Sequence, residues 1–100
     1  MIARIWKGKT RIEHLEIYRK IIVERDMPNY RKAKGFVKLT FLIRINNEYA
    51  YFKLITFWQN FDAITNFAGP DYRRAIAYKE DKKYLVNYPG MVVHYLVFEE

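Results

Sequence analysis

The stretch from Gly35 to Trp58, GFVKLTFLIRINNEYAYFKLITFW, constrains the fold more than any other part of the chain. Two runs rich in β-branched and aromatic residues flank Asn46-Asn47. Asn tolerates positive φ, so the pattern predicts one long hairpin with a two-residue turn at that pair. Such a turn sets Ile45 opposite Glu48, Ile43 opposite Ala50 and Phe41 opposite Phe52. Side chains alternate along a strand. One face then carries Val37, Leu39, Phe41, Ile43, Ala50, Phe52, Leu54 and Trp58. The other carries Phe36, Lys38, Thr40, Leu42, Arg44, Tyr49, Tyr51, Lys53, Ile55 and Phe57, and is too apolar for water alone. Both faces need a cover.

The flanking sequence provides one cover. Ile2 to Lys7 reads as a short strand. Thr10 and Glu13 have capping-box spacing. Ile12, Leu15, Ile22 and, nearby, Tyr18 or Arg19 then give a helical period, widened by Ile17, Ile21 and Val23. That helix is expected to stop before Pro28, whose ring disfavours helical geometry at Met27, leaving Asp26 to Lys34 as a polar connector. After the hairpin, Asn60 caps a helix over Phe61 to Ala68, with Phe61, Ile64, Phe67 and Ala68 inward. Gly69 ends it, and Pro70 opens a short helix from Asp71 to Tyr78. Lys79 to Lys83 is a charged loop or single turn, Pro89-Gly90 a turn, and Met91 to Phe98 a last strand.

This order is the ferredoxin-like βαββαβ arrangement: an α+β fold with an antiparallel sheet and both helices on one face. One hundred residues make a single domain, 1–100. The uncovered sheet face calls for a second copy packed about a two-fold axis. Phe36, Leu42, Tyr51, Ile55 and Phe57 are its expected contacts.

Composition narrows the chemistry. The chain has no Cys, which removes disulfides and thiolate chemistry, and only two His, few for a metal site. No apolar run is long enough to span a bilayer, and Met1 to Trp6 lacks the apolar core of a signal peptide. The expectation is a cytoplasmic protein without membrane partner, metal or cofactor. The net charge of +7 fits a well-solvated surface, because acidic residues interleave with the basic ones. Nucleic-acid binding is the alternative. Lys34 to Phe41, KGFVKLTF, superficially resembles the aromatic signature of RNA-recognition motifs, but it lies on the second strand and that signature belongs on the third.

Several segments resemble the antibiotic biosynthesis monooxygenase family of dimeric α+β barrels. They are MIARIW at the start, LITFW ending at Trp58, the following FDAITNFAG, DYRRA, and VVHYLVFE near the end. The resemblance covers almost the whole chain. It implies two sheets joined as a barrel, and a cofactor-independent monooxygenase acting on a small aromatic or phenolic molecule. A non-catalytic binding or structural homodimer is the alternative. Haem-degrading members resemble one another in a first-strand Asn, a Trp on the helix after the third strand, and a His ten residues beyond. Those positions fall here on a strand without Asn, on Phe67 and on Ala77, which argues against haem degradation.

Cofactor-free oxygenation needs an aromatic pocket, a group favouring the substrate anion, and exclusion of water. Trp58, Phe67, Tyr72 and Tyr78 are the candidate walls, although Trp58 and Phe67 fit better as core. His94 is the candidate base, or a hydrogen-bonded structural residue. Arg4, a cation on a central strand, either binds an anionic substrate or pairs with a carboxylate across the dimer.

Overall fold

Strands β1 (Ile2–Arg11) and β3 (Tyr49–Trp58) pair antiparallel along their whole length, from Ile2 against Trp58 to Arg11 against Tyr49. β2 (Phe36–Ile45) flanks β3 and β4 (Val93–Leu96) flanks β1, giving the order β2-β3-β1-β4. The structure is a computed structural model and describes residues 1–76, 78–87 and 90–99. Ala77 and Pro89 therefore lie outside the described residues. The α+β, ferredoxin-like fold is the expected one, with an antiparallel sheet and its helices on one face. Among the described residues no helix is long and apolar enough to cross a membrane.

The hairpin forms with its register displaced by two residues. Ile45 pairs with Ala50 and Ile43 with Phe52, so the turn residues are Asn47 and Glu48. Asn46 closes the turn through its side chain: Oδ1 accepts the Glu48 N–H at 2.9 Å and the Tyr49 N–H at 2.7 Å. An Asn side chain can mimic a backbone turn in this way, so no positive φ is needed at the pair. A shift of two leaves every side chain on its expected face. The exception is a bulge between Phe36 and Lys38. It turns Phe36 toward the helices, where its ring lies 5.5 Å from Trp58 and 6.0 Å from Tyr30. Val37, expected inside, is exposed.

Thr10 does not cap a helix. β1 runs on to Arg11, and Thr10 is buried within it opposite Ala50. The helical path opens with a single tight turn at Ile12–His14 and proceeds through α1 (Leu15–Ile21). A wide π-helical stretch, Ile22–Asp26, follows, and then α2 (Met27–Lys32). Pro28 does not stop the helix. It sits in the first turn of α2, where its missing N–H is no loss, and the wide turn before it displaces the carbonyl that its ring would strike. The expected connector is thus mostly helix. Ile17 and Val23 are exposed, because the inward stripe runs through Tyr18 and Ile22.

α3 (Phe61–Ala68) has the expected bounds and caps: Asn60 Oδ1 accepts the Ala63 N–H at 2.9 Å, and Gly69 follows at φ 91°, but Phe61, expected inward, is exposed and Ala63 is buried with Ile64. The helix expected over Asp71 to Tyr78 is absent from the described residues there. Arg74 forms a bridge with Met91, and the carbonyls of Tyr72 and Arg74 are bound by Arg4, which competes with helical bonding. α4 (Lys79–Tyr84) forms instead where a charged loop or turn was expected.

Two apolar clusters fill the helix side of the sheet. Tyr18, Ile22, Ala50, Phe52 and Leu85 make one. Ile2, Trp58, Ala63 and Ile64 make the other. Gly35 joins the second cluster to the hairpin. It takes φ 84°, and a Cβ there would lie 2.5 Å from the Ala63 Cβ. Gly35→Ala is therefore expected to destabilise the fold by about 1–3 kcal/mol through overpacking, before any backbone strain is added. Urea denaturation measures this; an unchanged midpoint would show that α3 does not press on Gly35 as described.

Candidate functional site

The first helix and the sheet diverge around a group of buried charges. Tyr18, Arg25 and Asp26 project from α1 and the π stretch, and Asp81 projects from α4. A wide turn places consecutive Arg25 and Asp26 on the same side. The Arg25 guanidinium donates to Asp26 through Nε at 2.8 Å and through Nη2 at 3.1 Å. Its Nη2 also donates to Asp81 Oδ1 at 2.9 Å. The same Oδ1 accepts the Tyr18 hydroxyl at 2.7 Å, and Oδ2 accepts the Tyr78 N–H at 3.0 Å. Arg25 lies over the Tyr78 ring at 4.1 Å. Its Nη1 is buried, 3.7 Å from Glu80 Oε2, and makes no hydrogen bond among the described residues.

These contacts set the protonation states. Burial pushes the Tyr18 hydroxyl well above the ordinary phenol range, and its bond to Asp81 adds to the effect. Burial also raises the Asp26 carboxyl, against the opposing pull of Arg25. Burial works to lower Arg25, but its bonds to Asp26 and Asp81 override this and keep it charged.

Arg4 completes the group from β1. It is 3% exposed. Nη1 donates to the Tyr72 carbonyl and Nη2 to the Arg74 carbonyl at 3.3 Å. Nη1 also lies 3.3 Å from His94 Nε2. Arg has no acceptor to offer, so His94 Nε2 must carry the lone pair. Burial holds the Arg4 pKa below its usual value.

Arg4, Tyr18, Arg25, Asp26 and Asp81 line a cavity of about 40 Å³ between helix and sheet. One water's share of liquid volume is ~30 Å³, so this space suits one small group and not a ring. Asn29, Phe67, Ile76 and Tyr78 separate it from a groove of about 520 Å³ between α2 and α3, bordered by Lys32 and Lys34. That volume is typical of small-molecule sites.

The expected pocket residues divide between this site and the core. Arg4, Phe67 and Tyr78 line the cavity. Trp58 does not: it is 0% exposed, with Nε1 donating to Thr56 Oγ1 at 2.8 Å and rings of Tyr30, Phe36 and Phe67 around it. Tyr72 and His94 pack on each other at 5.3 Å and against Phe61, outside the cavity lining. His94, expected as the general base, directs its Nε2 at the Arg4 guanidinium at 3.3 Å. Sequence reasoning missed Tyr18, Arg25, Asp26 and Asp81. Polar residues at 18, 25 and 29 along the inward helical stripe were the available signal, and stopping the helix at Pro28 hid it. Asp81 gave no signal within Lys79-Glu-Asp-Lys-Lys83.

The outer sheet face holds the expected dimer contacts unevenly. Ile55 and Phe57 lie beside Ile5, Ala3, Val93 and Tyr95 in a mostly apolar half, with Lys38 at its edge 4.9 Å from the Phe57 ring centre. Leu42 and Tyr51 lie among Lys7, Lys9, Arg44 and Lys53 in a cationic half. Phe36 faces the helices and drops out of the set.

No family model matches the sequence, and no curated protein matches it. Among solved structures the chain is similar to a putative antibiotic biosynthesis monooxygenase from Bacillus cereus. The two share 14% identity at a TM-score of 0.63, over 99% of this chain and 94% of that one. At this identity the likeness speaks for the fold alone.

Burial, with the charges of Arg4 and Arg73, holds the His94 pKa below its ordinary 6.5. The unfolded chain then takes up this proton first as the pH falls. His94 thus contributes stability that is present above pH 6.5 and is lost as the pH drops toward the folded value. Thermal melts at neutral and mildly acidic pH should show a smaller acid loss for His94→Gln, whose amide oxygen can still accept from Arg4. An equal loss in both proteins would contradict the neutral His94 described above.

Proposed function

We propose that the helix–sheet site binds a small electron-rich phenol and oxygenates it without a resident cofactor. The observation that supports this reading is the group of buried Arg4, Tyr18 and Asp81 with half-buried Arg25 and Asp26, separated only by Asn29, Phe67, Ile76 and Tyr78 from a groove large enough for an aromatic body. The shared fold of the Bacillus cereus protein is consistent with it. Phe67 and Tyr78 flank the ring, and the phenolic oxygen reaches inward toward Arg4.

The roles follow from charge. Asp26, a carboxylate paired with Arg25, takes the phenolic proton, because burial raises its affinity for one. Arg4 holds the phenolate, since its own bonds go to carbonyls and an imidazole and, among the described residues, leave its charge without a carboxylate. Tyr18 and Asp81 keep Arg25 in place beside Asp26. The phenolate gives one electron to O₂, and the two radicals join at the para ring carbon. The hydroperoxide so formed recovers the proton from Asp26, loses the hydrogen on that carbon, and releases water as its O–O bond breaks. One oxygen atom remains as a quinone carbonyl and the other leaves in water, so no outside reductant is required.

An oxygen electrode tests this with an anthrone-type phenol. Wild type should consume O₂, and Asp26→Asn should lower the rate by about 10²-fold or more while fluorescence titration shows retained binding. Equal rates would remove Asp26 as the base. Binding without any O₂ uptake would reduce the protein to a small-molecule-binding module.

The proposed assembly is a homodimer through the apolar half of the outer face, where Ile5, Ile55, Phe57, Val93 and Tyr95 cluster. Val93 and Tyr95 are each more than half exposed in the single chain. Sedimentation should give twice the chain mass, and Ile55→Asp should yield monomer, since pairing would bury an unpaired charge. A wild-type monomer at micromolar concentration would sink the dimer.

A further inference from the structure

The cationic half of the outer sheet face has no role in the helix-side site. Lys7 stands directly opposite Lys53, which stands opposite Leu42. Two residues further along, Tyr51 stands between Lys9 and Arg44. Like charges placed opposite one another across strands destabilise a sheet, and here Lys7 and Lys53 keep that arrangement. The ion pairs among the described residues take their cations from Arg11, Arg19, Lys20, Arg25 and Arg74. Lys7, Lys9, Arg44 and Lys53 take part in none. The four cations are therefore uncompensated, and an anion arriving there relieves repulsion that the free protein retains.

Flat rings are set among these charges. The Arg44 guanidinium lies 4.4 Å from the Tyr51 ring centre, and Lys9 lies 4.5 Å from that of Tyr49. The Tyr51 hydroxyl accepts from Asn46 Nδ2 at 3.3 Å, which fixes the ring's direction. Lys7, Leu42, Arg44, Tyr51 and Lys53 border a depression of about 340 Å³. The cations do not converge on one point. They stand in two rows, Lys7 with Lys53 and Lys9 with Arg44, one two-residue interval or about 6.6 Å apart along the strands, a spacing that suits adjacent phosphates better than a single anion.

We infer that this half-face binds single-stranded nucleic acid, with Lys7, Lys53, Lys9 and Arg44 on phosphates and a base stacked on the Tyr51–Arg44 platform. The aromatic signature on the second strand does not carry it, because Phe36 turns to the helices and Phe41 stacks on Phe52. The rings sit on β3, a central strand, at the hairpin end of the open face.

Fluorescence anisotropy with a labelled short oligouridylate tests the inference over a salt series. Four phosphate contacts predict a slope of log affinity against log salt of about −3. Lys7→Glu with Lys53→Glu should weaken binding at least tenfold. Lys32→Glu with Lys34→Glu makes the same charge change on the helix side and should leave affinity within about twofold. Tyr51→Ala should weaken binding about tenfold without changing the slope. Melting curves establish that each variant is folded, and Tyr51→Phe, which keeps the ring, should retain affinity. Equal losses in the two charge-reversed variants would mean bulk attraction only and overturn the inference. Equal competition by uridine monophosphate would mean a small-anion site and overturn it too. So would the absence of binding, or a Lys7/Lys53 variant that changes oligomeric state and not affinity.

Discussion

A guanidinium leaves water only where anions and acceptors replace its hydration, and the helix side of this protein is arranged around that requirement at Arg25. Its partners come from two distant parts of the chain, Asp26 next to it and Asp81 on α4. The wide turn at Ile22–Asp26 is what lets Arg25 and Asp26 face the same way while Tyr18 and Ile22 still reach the core. Asp81 in turn accepts from Tyr18 and from the Tyr78 backbone, which starts α4. Removing one member of such a group costs about 3–5 kcal/mol, because the charge left behind stays buried. The charged group therefore positions α4, the end of α1 and the cavity together.

Arg4 does similar work on the other side of that cavity. Its bonds to the carbonyls of Tyr72 and Arg74 tie a non-helical segment to β1. His94, on the neighbouring strand, accepts from the same guanidinium and stays neutral. A buried cation held by neutral groups keeps much of its field, which is the property an anionic intermediate uses.

The sheet separates two kinds of surface by the alternation of its side chains. Ala50, Phe52, Leu54, Thr56 and Trp58 of β3 are buried beneath the helices. Tyr49, Tyr51, Lys53, Ile55 and Phe57 of the same strand point to the open face. That face is itself divided along the strands, apolar toward Phe57 and cationic toward Tyr51. The proposed dimer on the apolar half and the proposed nucleic-acid contact on the cationic half rest on different residues and different forces.

Local pattern carried much of the architecture. The period-2 runs around Asn46-Asn47 determined the hairpin and its two faces, because a strand's alternation survives a register shift of two. The Asn60 cap, α3 and Gly69 were equally legible, since capping depends on groups only a few residues apart. Pro28 misled, because its effect on a helix depends on the carbonyl geometry of the preceding turn. Asp71 to Ile76 misled as well, because carbonyls that a helix would use are taken by Arg4, some seventy positions away. By itself the sequence determined the order of the four strands, the ferredoxin-like fold and the two-sided character of the hairpin. Only the tertiary structure decided that Trp58 is core, that His94 faces Arg4, and that Tyr18, Arg25, Asp26 and Asp81 meet. Charge pairing across the fold is a long-range match, and no local period in the chain records it.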